Sequence, residues 1–208
     1  MNPSLIVADD HPLVLKGLLE FLNENNHNVI ASATNGKNAL ALIKAHEPDI
    51  AVLDVRMPFF TGLEIAQKCK EAQLETKIIL LTFEKDEKTY NAAKEAGVYA
   101  YVLKEFALDE IETCIRSVRD GKTYFSPELI SYIEINEALD LLQELTTSEL
   151  RILRLISKNK TAKEIAEELY VSPRTVEKHK SNIRRKLDLD KAPNSILIWA
   201  KDNQKYLS

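Results

Sequence analysis

No apolar run in the sequence approaches the ~20 residues that a membrane-crossing helix needs. The amino terminus, Met1-Asn-Pro-Ser4, leads into a strand-like stretch and lacks the basic start and small-residue cleavage site of a secretion signal. Only two cysteines occur in 208 residues, Cys69 and Cys114, far apart and at no metal-ligand spacing. That argues against a disulfide framework and a zinc site, and for two thiols packed on helices in a reducing, cytoplasmic compartment. No segment repeats, and none is of low complexity. What remains is ordinary globular material, 45% hydrophobic and 29% charged, enough for one or two cores.

The net charge of −4 is unevenly spread. From Gln143 onward there are 14 basic and 9 acidic residues, a surplus of +5, so the rest of the chain carries −9. Opposite signs in the two parts predict two domains with different partners. The basic part is permissive for nucleic acid.

Residues 4–120 alternate short β-branched runs with stretches of helical period. The strand-like runs are Leu5–Ala8, Val29–Ala31, Ile50–Leu53, Ile78–Leu81 and Ala100–Leu103; Gly62–Glu71 and Asp86–Ala96 are typical of the helical stretches between them. Four of the five runs are continuously apolar, as in strands buried on both faces of a parallel sheet. Five β-α repeats predict a doubly wound α/β domain, with its site at the carboxyl ends of the strands. Those ends carry Asp9-Asp10, Asp54, Thr82 and Lys104. Three carboxylates in one crevice repel one another unless a cation sits among them, and hard oxygen donors favour Mg²⁺. Such an ion would let one carboxylate attack phosphorus, with Lys104 and Thr82 placed to meet the phosphoryl oxygens.

Residues 121–142 change character and read as a linker containing a helix, Glu128–Leu145, or as an extension of a neighbouring domain's last helix. From Thr146 every segment reads as helical. Thr146-Thr-Ser-Glu149 and Thr161-Ala-Lys-Glu164 have capping-box spacing, and Ser172-Pro173 pairs an N-cap with proline at the first helical position. The helix Lys163–Tyr170 turns Ile165, Ala166 and Leu169 inward. On the next helix Val176, Ile183 and Leu187 form one face; Arg174, Lys178, Ser181 and Arg185 lie opposite, flanked by Glu177 and Asn182. Helix, short turn and helix with a basic outer face is the geometry that enters a major groove. A last helix, from about Asn194 to Lys201, is either a dimerisation surface or the fourth wall of the bundle.

Two resemblances cover almost the whole chain. Leu5-Ile-Val-Ala-Asp-Asp10, Val52-Leu-Asp-Val-Arg-Met-Pro58, Leu80-Leu-Thr82 and Tyr101-Val-Leu-Lys104 resemble, in order, the signature strand ends of bacterial response-regulator receiver domains. Tyr101 and Lys104 follow Thr82 by 19 and 22 residues, as that pattern has them. Leu145–Ile156, Thr161–Ala166, Val171–Lys180 and Arg185-Lys-Leu187 are similar to the LuxR-type four-helix DNA-binding domain. The chain as a whole resembles a NarL/FixJ-type two-component response regulator.

The resemblance implies a receiver over residues 1–120 with five parallel strands ordered 2-1-3-4-5, a linker over 121–142, and a small all-α DNA-binding domain over 143–208 with its helix-turn-helix at about 162–181. It implies that a sensor histidine kinase phosphorylates Asp54 and that Asp9, Asp10, Asp54 and the main-chain carbonyl of Arg56 hold Mg²⁺. Thr82 and Tyr101 would be the switch pair and Lys104 the phosphate-binding cation. Lys178, Ser181 and Asn182 would reach base edges of double-stranded DNA, and Arg174, Thr175, Lys180 and Arg185 its phosphates. His179 reads as a structural residue. Phosphorylation would promote homodimerisation on the operator, with RNA polymerase a further partner. An alternative keeps DNA binding but makes the receiver independent of phosphate.

Two departures are visible. Phe83 stands where receivers often carry a small residue, so its ring is expected to narrow the crevice. Glu177 replaces a basic residue frequent in relatives. A stand-alone aspartate-nucleophile phosphatase would want a second acid two residues after Asp54, where this chain has Arg56. The expectation is a regulator whose only phosphoryl chemistry is on itself.

Overall fold

The computed structural model describes residues 2–207. The chain forms two compact units that divide between Ile133 and Glu134. The first runs β1 (Ser4–Ala8), α1 (Pro12–Glu24), β2 (Asn28–Ala33), α2 (Gly36–His46), β3 (Ile50–Asp54), α3 (Gly62–Glu71), β4 (Lys77–Thr82), α4 (Glu87–Ala96), β5 (Ala100–Leu103), α5 (Ala107–Arg119) and β6 (Tyr124–Phe125). All strand pairs are parallel, in the order β2-β1-β3-β4-β5-β6. β3 and β5 are wholly buried, and β1 and β4 nearly so, because helices cover both faces of the sheet. β2 alternates exposed and half-buried positions, as an edge strand does. Ile6, Leu53, Leu80 and Leu103 pack on one side of the sheet, and Leu5, Val52, Ile79 and Val102 on the other.

Among the described residues the sheet has six strands rather than the expected five. β6 has only two residues, pairing Tyr124 with Ala100 and Phe125 with Tyr101. Two residues carry no readable alternation, and they lie in the segment read as linker. That segment also holds most of α6 (Pro127–Gln143), whose Leu129 and Ile133 are buried in the first unit's core while Leu142 is buried in the second's.

The second unit continues with α7 (Thr147–Ser157), α8 (Ala162–Glu168), α9 (Pro173–Lys186) and α10 (Ser195–Asp202). Both capping boxes form: the Thr146 and Thr161 hydroxyls accept from Glu149 N and Glu164 N, and each glutamate accepts from its threonine's N–H. Ser172 caps α9, with Pro173 opening it. Ile152, Leu153, Ile165, Val176, Ile183 and Ile196 form the core. α8 ends earlier than its periodicity suggests, because Tyr170 turns left-handed and stands outside the helix, 96% exposed.

Candidate functional site

The strand ends bring Asp9, Asp10, Asp54, Thr82 and Lys104 to one edge of the parallel sheet. Gly62 fixes the local backbone. A Cβ there would lie 2.5 Å from the Asp54 carbonyl oxygen and 2.8 Å from Leu80, so only glycine lets α3 start this close to β3. Asp9 and Asp54 are almost fully buried. Lys104 Nζ, also buried, lies 2.7 Å from Asp9 Oδ2 and 2.9 Å from Asp54 Oδ2. The Arg56 N–H donates to Asp54 Oδ1 at 3.2 Å, which turns the loop after β3 around the carboxylate.

Burial pushes the Asp54 carboxyl above its ordinary range; the Lys104 ammonium pulls it down and the Asp9 charge adds to the rise. Three acids against one lysine leave this edge negative.

The residues fit a small divalent cation. Ligand atoms of Asp9, Asp10, His11 and Asp54 all lie within 4.8 Å of one another. Asp9 Oδ2 and Asp10 Oδ1 are buried without a hydrogen-bond partner among the described residues, although ammonium and imidazole nitrogens stand at ion-pair distance from them. Such oxygens, short of directed donors, suit a hard cation.

His11 is a neighbour that the sequence reading missed. Its Nδ1 is 2.9 Å from Asp10 Oδ1, 3.4 Å from Asp9 Oδ1 and 4.0 Å from Asp54 Oδ2, while the side chain is 59% exposed. The only available signal was its place directly after the acid pair. Phe83 stands beside it at the mouth, edge-on to the imidazole with ring centroids 6.4 Å apart, and Lys104 Nζ lies 5.1 Å from its ring centre. Arg56 and Glu84 flank the same mouth and pair at 2.6 Å.

Thr82 is buried, and its hydroxyl accepts from Glu84 N. Tyr101 is 0% exposed, edge-on to Tyr90 at 6.1 Å, and its hydroxyl has no hydrogen-bond partner among the described residues. Burial pushes that phenol up to about 12; Thr82's hydroxyl, nearby but outside hydrogen-bond geometry, pulls the other way.

In the second unit α9 presents Arg174, Lys178, Ser181 and Arg185 on its exposed face, with Thr175, Lys180 and Asn182 half-buried at the flanks. Thr175 is tied into the cap: its N–H donates to Ser172 Oγ, and the two hydroxyls lie 2.8 Å apart. Lys180 pairs with Glu177 at 2.8 Å, so the unexpected acid offsets one of the basic residues. His179 Nδ1 is buried without a partner among the described residues, at the packed edge of the helix. Lys186 anchors α9 to α7 by donating to the buried Glu149 at 2.8 Å. On α10, Ile196 is buried and Ile198 is 59% exposed. Among the described residues no helix is long and apolar enough to cross a membrane.

Known proteins share both units. Residues 5–116 match the response regulator receiver domain, and residues 143–198 match the bacterial regulatory proteins of the luxR family. The oxygen regulatory protein NreC of Staphylococcus epidermidis is 34% identical over 205 residues, covering 92% of this chain and 94% of that protein. The transcriptional regulatory protein DesR of Bacillus subtilis is 35% identical over 189 residues, covering 89% and 90%. The solved structure of the two-component response regulator RcsB in complex with DNA aligns with a TM-score of 0.59 at 25% identity, over 96% of this chain and 98% of that one. With an acidic strand-end pocket in a parallel α/β unit and a helix-turn-helix later in the sequence, this chain belongs to the NarL/FixJ-type response regulators, transcription regulators that join a receiver domain to a LuxR-type DNA-binding domain.

Proposed function

We propose that Asp54 is the phosphoacceptor of this regulator and that a sensor histidine kinase is the donor. The observation that carries the reading is the placement of the Lys104 ammonium between the buried carboxylates of Asp9 and Asp54, 2.7 and 2.9 Å away, at the carboxyl edge of the sheet. An Asp54 oxygen attacks the phosphorus of a phosphohistidine. The new P–O bond forms as the P–N bond breaks, and the imidazole leaves with the electron pair. Lys104 then pairs with the phosphoryl oxygens, and the Thr82 hydroxyl donates to one of them. Asp9, Asp10, Asp54 and the Arg56 main-chain carbonyl would hold Mg²⁺, which supplies positive charge against the incoming phosphoryl group. The phosphoryl chemistry is confined to this self-modification and its reversal by water.

Phosphorylation adds about −1.5 to −2 charges beside Thr82 and Lys104. Drawing Thr82 toward phosphate changes the space next to Tyr101 and couples the pocket to the surface of α4, β5 and α5. The output is dimerisation and binding of double-stranded DNA through α9. Lys178, Ser181 and Asn182 face bases; Arg174, Thr175, Lys180 and Arg185 face phosphates. The domain limits that go with this reading are a receiver over 1–120, a connecting segment over 121–142 and the DNA-binding domain over 143–208.

Intact-mass measurement after incubation with acetyl phosphate and Mg²⁺ tests the first step. One phosphoryl adduct per chain, absent in Asp54→Ala, is the expected result. Multiple turnover of phosphomonoesters would instead indicate an enzyme.

A second reading keeps DNA binding and makes the receiver independent of phosphorylation, and it has its own observation: the Tyr101 ring is fully buried, so a switch has no further inward step to drive. Equal DNA affinity with and without beryllofluoride on Asp54 would favour it.

A further inference from the structure

Tyr170 occupies an unusual place. It follows the C-cap of α8, where Val171 N–H donates to Ala166 O at 3.0 Å and Tyr170 N–H points to Glu167 O at 3.4 Å. This pair of closing bonds is the Schellman motif, whose left-handed residue is ordinarily glycine or asparagine. Here it is tyrosine at φ +55°. A bulky side chain is disfavoured in that region. It also recovers nothing by packing, since it is 96% exposed, more than any other large apolar or aromatic side chain among the described residues. A residue that strains the turn and buries no surface contributes nothing evident to the fold of its own unit.

Its position indicates a role. Tyr170 precedes Ser172, the N-cap of α9, by two residues, so it stands at the leading end of the helix whose exposed face carries Arg174, Lys178, Ser181 and Arg185. In a helix-turn-helix the recognition helix enters the major groove with its N-terminal residues toward the bases, and the preceding element runs along the sugar-phosphate backbone. A long side chain projecting from the turn between them meets that backbone. A phenol supplies a flat ring for sugar contact and a neutral O–H donor for a phosphate oxygen.

We propose that Tyr170 is a DNA-backbone contact of this regulator, its hydroxyl donating to a phosphodiester oxygen beside the point where α9 enters the groove. The contact is sequence-independent and uncharged. It therefore adds affinity without releasing counterions, unlike the lysine and arginine contacts of α9. The inference rests on the reading of α9 as the recognition helix.

The test is binding of the full-length protein, treated with beryllofluoride and Mg²⁺, to a short mixed-sequence DNA duplex across a salt series. Asparagine tolerates the left-handed turn, so Tyr170→Asn keeps the fold and is expected to raise the melting temperature. Tyr170→Phe keeps the ring and deletes only the hydroxyl. Both variants are expected to bind about tenfold more weakly, the loss typical of one hydrogen bond to a charged acceptor. The slope of log affinity against log salt should stay at the wild-type value, whereas Lys178→Ala should lower it by about one. Wild-type affinity in both Tyr170 variants overturns the proposal. A reduced slope in Tyr170→Phe overturns it too, because the hydroxyl would then be acting through charged neighbours. Unchanged DNA affinity with lost promoter activation assigns Tyr170 to a protein partner and also overturns it. If wild type binds no duplex, the reading of α9 fails and this inference with it; if wild type and Lys178→Ala behave as stated, failure falls on Tyr170 alone.

Discussion

Replacing Lys104 by methionine removes the ammonium held between two buried carboxylates while keeping most of the side-chain volume. At an effective dielectric near 20, each contact in the 2.7–2.9 Å range is worth about 6 kcal/mol of gross Coulomb attraction. Much of that is offset by the cost of desolvating the ammonium, which the variant no longer bears. The net loss expected for breaking a buried pair on one side is about 3–5 kcal/mol. For a unit of this size that lowers the melting temperature by roughly 10–20 °C. Asp9 and Asp54 then face each other without a counter-charge, and Asp54, already raised by burial, rises further. A carboxyl with a raised folded-state pKa stabilises the fold fully below its unfolded value and loses that contribution as pH rises through the folded one. The deficit of Lys104→Met should therefore be large at about pH 8 and shrink toward about pH 5. Mg²⁺ should raise the melting temperature of the variant more than that of wild type, since no ammonium competes for the carboxylates. Calorimetry reads both units, and the sole tryptophan, Trp199, lies on α10, so fluorescence marks the C-terminal transition separately. A receiver transition unchanged by Lys104→Met at about pH 8, or a deficit that grows as pH falls, would refute the electrostatic account of the pocket.

Tyr101→Phe deletes a buried hydroxyl that has no hydrogen-bond partner among the described residues, so it should stabilise the receiver by about 1 kcal/mol, or about 3 °C; a fall in melting temperature would mean the hydroxyl is satisfied. Phe83→Ala should open the pocket mouth and speed both labelling of Asp54 by acetyl phosphate and loss of the label, severalfold each; unchanged rates would remove Phe83 from any gating role. Glu149→Gln should cost the C-terminal unit about 1–3 kcal/mol, because Glu149 is 3% exposed and accepts from Lys186. Although burial opposes it, Lys186 and Thr146 hold this carboxyl below its ordinary 4.5. A depressed carboxylate contributes its stability above the unfolded pKa and loses it as pH falls through the folded one, so the variant's deficit should vanish in strong acid when followed by Trp199 fluorescence.

Sequence alone determined much of this protein. Continuous apolar runs bounded by Asp9-Asp10, Asp54, Thr82 and Lys104 specify a buried parallel sheet and put the polar residues at its carboxyl edge, because a strand buried on both faces can turn polar only where it ends. The 3.6-residue period of α9 separates Val176 and Ile183 from Lys178 and Arg185 for an equally local reason. Tertiary structure decided what depends on partners far apart in the chain or on rotamer choice. β6 exists only because Tyr124 and Phe125 find the open edge of β5. Lys104 could have faced solvent, and its place between two carboxylates is set by the pairing of β1, β3, β4 and β5. His11 enters the acidic cluster through the backbone turn after Asp10, and Glu177 offsets Lys180 through a side-chain pairing; residue spacing records neither. Tyr170 belonged to a helix by its period and left it by its φ, since the closing bonds of α8 put a left-handed turn where the sequence offered no glycine. Periodicity encodes which face is buried. The rotamers, the long-range pairs and the backbone sign at a turn are settled by packing.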